Sequence, residues 1–231
     1  MQPVNLLVDF DWSLTLTSPT DMDVTSAAAS APARSRLATR ERLLESATRL
    51  FAERGLHRVT SHDIARNAGV AAGTFYLHFK DKSDVYRQIL FSAIENLRAA
   101  VVEAVSKAAT QRDALRARAE VIVDFAETNR DVVRILFSHD SETVAIEADV
   151  LTHLATGLEA RFRREMAQGI FPSDLDPAAT AQALVGMTAR LIDWWTEDPR
   201  RAPREQILHT IVRLQMSGIR SDDHAGKDPQ E

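Results

Sequence analysis

The sequence predicts an all-α fold, and three observations carry that prediction. From Leu37 onward apolar residues recur at helical spacing almost throughout, with Gly or Pro punctuation near Gly55, Gly69, Pro172, Pro177, Pro199 and Pro203. No convincing β-strand pattern follows residue 36. The 231 residues are 45% hydrophobic, enough for a real core. They include no cysteine, which excludes disulfides, cysteine-based zinc sites and a thiol nucleophile. No run approaches the roughly 18 apolar residues of a spanning helix, and the N-terminus lacks the basic start and apolar stretch of a signal peptide. The expectation is a cytoplasmic protein without a membrane partner.

Residues 1–35 read as a disordered tail, because "TSPTDMDVTSAAASAPARS" is rich in Ser, Thr, Ala and Pro and has no sustained apolar period. The first helix places Leu43, Ala47, Leu50 and Phe51 on one face and ends at Gly55. Thr60-Ser61-His62-Asp63 reads as a capping box in its acidic form, opening a short helix that Gly69 ends. A third helix over about Ala72–Phe79 turns Phe75 and Phe79 inward, leaving Gly73, Thr74 and Leu77 outward with Tyr76 and His78 on the flanks. Two short helices across a glycine turn make a helix-turn-helix over 60–79, the third helix of an N-terminal three-helix unit presenting small and polar groups. A long fourth helix follows Ser83, with Val85, Ile89, Ile94, Leu97, Val101 and Val105 as core positions. Further helices are expected near 111–128, 130–138, 143–168, 177–197 and 203–218, with Asp176-Pro177 as an N-cap and first-turn pair. The division is a helix-turn-helix domain at 36–96, a second helical domain at 97–219 and a tail at 220–231.

The net charge of −5 is unevenly spread. Arg34 to Lys80 holds nine Arg and Lys against four acids, a balance of +5 that leaves −10 for the remainder. Such an asymmetry separates a segment that could sit on phosphates from a larger part that should not. Charge alone is equally what a solvated helix surface shows.

The stretch that decides the reading is residues 39–90. Its "LFAERG" and "IARNAGVAAGTFYLHFKDKSDV" resemble the TetR family of one-component transcriptional regulators: the Gly-Val turn, the Gly-Thr-Phe-Tyr-x-His-Phe helix and the Lys-Asp-Lys-Ser entry to the fourth helix stand at family spacing. "FPSDLDPAATAQALVGMTARLIDWW" is similar to the penultimate helix of many members. The resemblance implies a double-stranded DNA operator, a homodimer and a small-molecule effector. It also implies that the head reads DNA through Ser61, His62, Ala71, Ala72, Gly73, Thr74, Tyr76, Leu77 and His78. Tyr76 suits a phosphate, His78 a phosphate or a base edge, and Lys82 a phosphate clamp helped by its helix N-terminus. Arg36 and Arg40 reach phosphate or the minor groove or are simply solvated, and Thr60, whose first role is to cap the second helix, is counted with the DNA face. No Arg, Lys, Asn or Gln stands at the centre of the recognition helix, so bidentate reading of guanine or adenine is thin. Ala72, Thr74 and Leu77 suit thymine methyl groups, and DNA shape is expected to supply part of the specificity. Ala71 stands where many relatives carry Ser or Thr, removing a cap and a phosphate contact.

For the second domain the resemblance implies an effector pocket among the middle helices and a helical dimerisation surface. Phe91, Leu97, Phe125, Phe137, Phe162 and Trp194 are the candidate lining, and the expected effector is small and apolar or amphipathic. Arg134, His139, His153 and Arg161 could meet an anionic or hydrogen-bonding group, and each alone is equally read as a surface residue. The dimer interface is assigned to Leu184, Met187, Leu191 and Trp195 on one helix and Ile207, Ile211 and Leu214 on the last; a purely intramolecular core fits the same periodicity. Neither a cofactor, a metal site nor a catalytic set is expected: no His pair stands at i, i+4 with a carboxylate partner, and adjacent Ser138, His139 and Asp140 do not make a triad.

A different function class rests on "VDFDWSLT" near the N-terminus. Asp9 and Asp11 behind a short apolar run resemble the first motif of haloacid-dehalogenase-type phosphatases, in which one carboxylate attacks phosphorus beside a magnesium ion. Trp12 stands where that family usually has the glycine of a tight loop, and the motif works at the end of a parallel strand that the rest of the sequence does not supply. Met22 offers an alternative start that would leave the motif outside the protein.

Overall fold

In the computed structural model, residues 31–138, 141–169 and 171–217 are described, and among them the chain is helical with no strand. Helices α1 (Ala31–Arg54), α2 (Ser61–Asn67) and α3 (Ala72–Phe75) form a head. Helix α4 (Lys82–Ser106) leads from it into a body of α5 (Gln111–Thr128), α6 (Arg130–Leu136), α7 (Val144–Ala167), α8 (Pro177–Glu197) and α9 (Arg204–Ser217). The expected tail through residue 35 needs correction: 31–35 are already helical, since Ala33 and Arg34 are good helix formers and extend α1 ahead of its apolar face. Expectations for residues 1–30 and 218–231, with Asp9 and Asp11 among them, and for His139 and Asp140, lie outside the described residues.

Local chemistry places the helix ends. Thr60 caps α2 with both arms of a capping box: its hydroxyl accepts from the Asp63 amide at 3.1 Å, and the Asp63 carboxylate accepts from the Thr60 amide at 3.1 Å and hydroxyl at 2.6 Å. At the other end Gly69 takes φ +67, which a residue with a Cβ resists. The Gly69 amide then donates to Arg66 O and the Val70 amide to Ala65 O, the paired bonds of a Schellman turn. Asp81 caps α4 through the Asp84 amide at 2.8 Å, Thr110 caps α5, and Asp176 caps α8 through the Ala179 amide at 2.7 Å ahead of Pro177.

Packing does not respect the expected boundary at 96/97. The core of the head, with Leu43, Leu50, Phe51, Ile64, Phe75 and Phe79, continues without a break through Val85, Tyr86, Ile89 and Leu90 of α4 to Ile135 and Leu136 of α6 and Ile146 and Val150 of α7. Tyr86 is the join. Its ring meets Phe51 with centroids 5.5 Å apart, and its buried hydroxyl donates to Ile135 O at 2.5 Å. A second core joins α5, α8 and α9 through Val123, Ile192, Trp195, Leu208 and Ile211.

Thr60→Ala should lower stability by about 1 kcal/mol, with Thr60→Ser close to neutral, read as midpoints of thermal unfolding. The pH dependence has a defined sign. The Asp63 carboxyl is held below its ordinary value, first by the Thr60 hydroxyl and then by the Thr60 amide. A depressed carboxylate contributes stability above its unfolded value and loses it as pH falls through its folded value, so the Thr60→Ala deficit should be full at pH 7 and shrink below about pH 4.

Candidate nucleic-acid interface and cavity

The second element of the helix-turn-helix is shorter than expected. Only Ala72–Phe75 is α-helical; its N-cap Ala71 makes no side-chain bond, and the chain continues to Phe79 as turns, with amide bonds from Leu77 to Thr74 O and from His78 and Phe79 to Phe75 O. These turns still sort the side chains. Phe75 and Phe79 are buried, and Tyr76 and Leu77 stand out at 64% and 70% exposure. Burial of the first pair holds the second in place: Tyr76 meets Phe75 edge-on with centroids 5.2 Å apart. Ala71, Ala72 and Gly73 are exposed beside them, as is His62 on α2, while Ser61, Thr74 and His78 are half-buried. Burial, then the neighbouring Arg36 and Arg40, pushes His78 below its ordinary value, so at pH 7 it offers a neutral imidazole.

Three expected DNA contacts are occupied inside the protein. Arg40 donates to the Gln88 side chain and lies 5.3 Å from the centroid of the Phe79 ring, fastening α1 to α4. Lys82 donates to Leu56 O at 2.8 Å and pairs with Glu142 at 3.5 Å, contacts that link the head to the α6–α7 connection. The Thr60 hydroxyl is engaged in its cap. Arg36 stays near the face, its Nη2 3.4 Å from Leu77 O.

In the body a cavity of about 250 Å³ lies between α4, α5, α6, α7 and α8. Leu97, Phe125 and Phe137 line it as expected. The other three assignments are corrected. Phe91 packs edge-on against His153 at the border of the head core, Phe162 pairs with Phe171 at 4.8 Å, and Trp194 faces outward at 37% exposure with Arg201 over its ring. Most of the lining is aliphatic, with Ile94, Val101, Ile122, Leu154, Leu158 and Val185 among it. The polar lining is Arg98, Arg118, Arg161, Thr188 and Gln215. Of these only Arg161 was singled out by the sequence; Arg118 stands within an ordinary amphipathic helix pattern and gave no signal. A larger groove of about 560 Å³ between α1, α4 and α5 carries Glu45, Thr48, Gln88, Asn96 and Asp124 and lies open at the surface.

The assigned dimer residues divide as well. Trp195, Ile207 and Ile211 are buried within the chain, and the Trp195 indole donates to Ala202 O at 3.0 Å. Leu191 packs against the same core, and Leu184 lines the cavity. Met187 and Leu214 are half-buried. The face that α8 leaves open is one step round the helix: Ala183, Gly186, Arg190 and Trp194.

Residues 43–89 match the family model described as bacterial regulatory proteins, tetR family. The transcriptional activator FasR of Mycolicibacterium smegmatis is 32% identical over 194 residues, spanning 78% of this chain and 82% of that protein. The chain belongs to the TetR family. The regulator AcrR of Shigella flexneri is 26% identical over 70% of this chain and 80% of that protein. Among solved structures, the fatty acid degradation regulator FadR from Bacillus halodurans superposes with a TM-score of 0.69 over 79% of this chain and 96% of that one, at 19% identity, a likeness of fold. TetR-family proteins are DNA-binding transcriptional regulators with a helix-turn-helix head and a helical body, and none of these relatives is named as a phosphatase.

Gly73 tests the DNA face. A Cβ built there meets nothing within 4 Å, so Gly73→Ala should leave the thermal midpoint unchanged or slightly raised. DNA affinity should fall where a phosphate backbone approaches the exposed glycine. Leu77→Ala should relax preference at one base pair by about 1–3 kcal/mol, measured by competition between operator and random duplex.

Proposed function

We propose that this TetR-family regulator is a ligand-responsive repressor that binds a palindromic operator as a homodimer and leaves it when an apolar or amphipathic effector fills the body cavity. The observation that carries this reading is the adjacent pair of exposed large side chains, Tyr76 and Leu77, held between the buried Phe75 and Phe79. A large apolar group in water beside a glycine and two alanines suits the major groove, where Leu77 meets thymine methyls and the Tyr76 hydroxyl a phosphate. Relatives carry both signs of regulation in their names: KstR2 of Rhodococcus jostii is named a repressor and FasR an activator. Repression needs only occupancy of a promoter.

Dimerisation follows from the weakness of one head, since a two-fold pair doubles the contacts over a palindrome. The open α8 face with Ala183, Gly186 and Trp194 is the proposed surface. Gly186 has open space at its Cβ position, so Gly186→Leu should fold normally and shift the protein from dimer to monomer in sedimentation.

Helices α4 and α6 join cavity and head. Ile94, Leu97 and Val101 of α4, Val133 and Leu136 of α6 and Phe137 just after it line the cavity, while Val85 and Tyr86 of α4 and Ile135 of α6 sit in the head core. An effector between these helices shifts α4 relative to α6, and with it the spacing of two heads. The FadR of Bacillus subtilis, solved in complex with stearoyl-CoA, an amphipathic molecule, has this fold at a TM-score of 0.64 and 20% identity.

Footprinting across its own promoter should protect a palindrome with half-site centres roughly 34–36 Å apart, and affinity should drop steeply with salt. By linkage, operator DNA must weaken effector binding by the factor with which effector weakens DNA binding. Equal effector affinity for free and operator-bound protein would sink the switch.

A further inference from the structure

Three guanidinium groups reach the cavity lining, and two are neutralised within the chain. Arg98 pairs with Glu95 at 2.7 Å and meets His153 Nε2 at 2.9 Å; Arg161 pairs with Glu165 at 2.7 Å. Arg118 has neither a hydrogen bond nor an ion pair with any described residue, and no carboxylate is among the described lining. Burial pushes Arg118 down to about 10, with repulsion from Arg161 adding to the effect and Glu165 opposing it. It therefore remains a cation at neutral pH, half-buried in the cavity wall, with Glu165 acting on it only through space and no ion pair to any described residue.

Resting on the ligand response proposed above, we propose that the cavity takes an amphipathic monoacid, an unbranched alkyl chain ended by a carboxylate, and that Arg118 binds the carboxylate. One uncompensated guanidinium calls for one negative charge, and its planar fork fits a carboxylate with two parallel N–H donors. The aliphatic and aromatic remainder of the lining, from Ile94 to Ile192, receives the chain. A neutral alcohol of the same length leaves Arg118 desolvated and unpaired, and an alkylammonium ion is repelled by it. Thr188 and Gln215 are neutral and do not reverse this preference.

The test uses the full chain and titration calorimetry below the micelle-forming concentration, comparing dodecanoate, dodecanol, dodecyltrimethylammonium and dodecanoyl-CoA, whose chain ends in a neutral thioester. Dodecanoate should bind at least about tenfold more tightly than dodecanol, with the ammonium ion weakest. Each methylene added to a shorter acid should tighten binding about fourfold until the cavity is full. Arg118→Met should bring acid and alcohol to equal affinity, and it should fold, with an unchanged or raised thermal midpoint in the absence of ligand because an uncompensated buried charge is removed. Equal binding of acid and alcohol by the unaltered protein, a preference that survives Arg118→Met, binding of dodecanoyl-CoA alone, or binding of none of the four overturns the proposal. The regulator reading fails separately. If dodecanoate binds through Arg118 yet leaves operator affinity unchanged, the acid site stands and the ligand response falls; if dodecanol releases operator as well as dodecanoate does, the response stands and the acid site falls.

Discussion

A buried phenol hydroxyl must find a partner, and the structure turns on the partner that Tyr86 finds. In a dry site an unpaired hydroxyl costs more than its hydrogen bond contributes, so the bond to Ile135 O is a geometric constraint as much as an attraction. It holds the second turn of α4 against the last turn of α6. With Phe51 packed at a tilt against the same ring, α1, α4 and α6 are positioned from one side chain. The head is therefore one face of a core that continues into the body.

Helix α6 is short and packed on both sides. Seven residues give two turns, and both faces are engaged: Ile135 looks to the head, Val133 to the cavity, and Leu136 touches both. A long helix spreads a local push over many contacts, whereas a two-turn helix between loops can move as a body. Lys82 adds a second tie, from the start of α4 to Leu56 O and to Glu142 in the α6–α7 connection. Both ties lie between the cavity and the head.

How much of this was legible in the sequence follows from the range of the forces involved. The capping box at Thr60, the Schellman turn at Gly69 and the Asp176-Pro177 start are decided by neighbours within a few residues, and these elements begin or end where the sequence indicates. The inward pair Phe75 and Phe79 was legible for the same reason, although their segment is mostly turn. Which of two apolar neighbours an α8 residue meets was not. Trp194 and Trp195 are adjacent and differ by about 100° around the helix, which is the whole difference between the outer surface and the α5–α9 core. Periodicity identifies an apolar face without saying whether another helix of this chain or a second chain covers it. The internal partners of Arg40 and Lys82 were not legible, because a basic residue beside a DNA-binding motif looks the same whether its side chain meets solvent, Gln88 or Leu56 O.

Arg118 marks the opposite limit. Its neighbours in sequence, Ala117 and Ala119, suit any helix, and a charged residue at that spacing reads as solvated surface. Only the approach of α4, α7 and α8 makes it a cation in an apolar cavity. The cost of holding such a charge out of water is usually met by a carboxylate within the chain, as Glu165 does for Arg161 and Glu95 for Arg98. Leaving one of three without an ion pair gives the cavity wall an excess of positive charge. That is the condition under which an anionic ligand gains most from entry, because its binding relieves a desolvation penalty already present in the free protein.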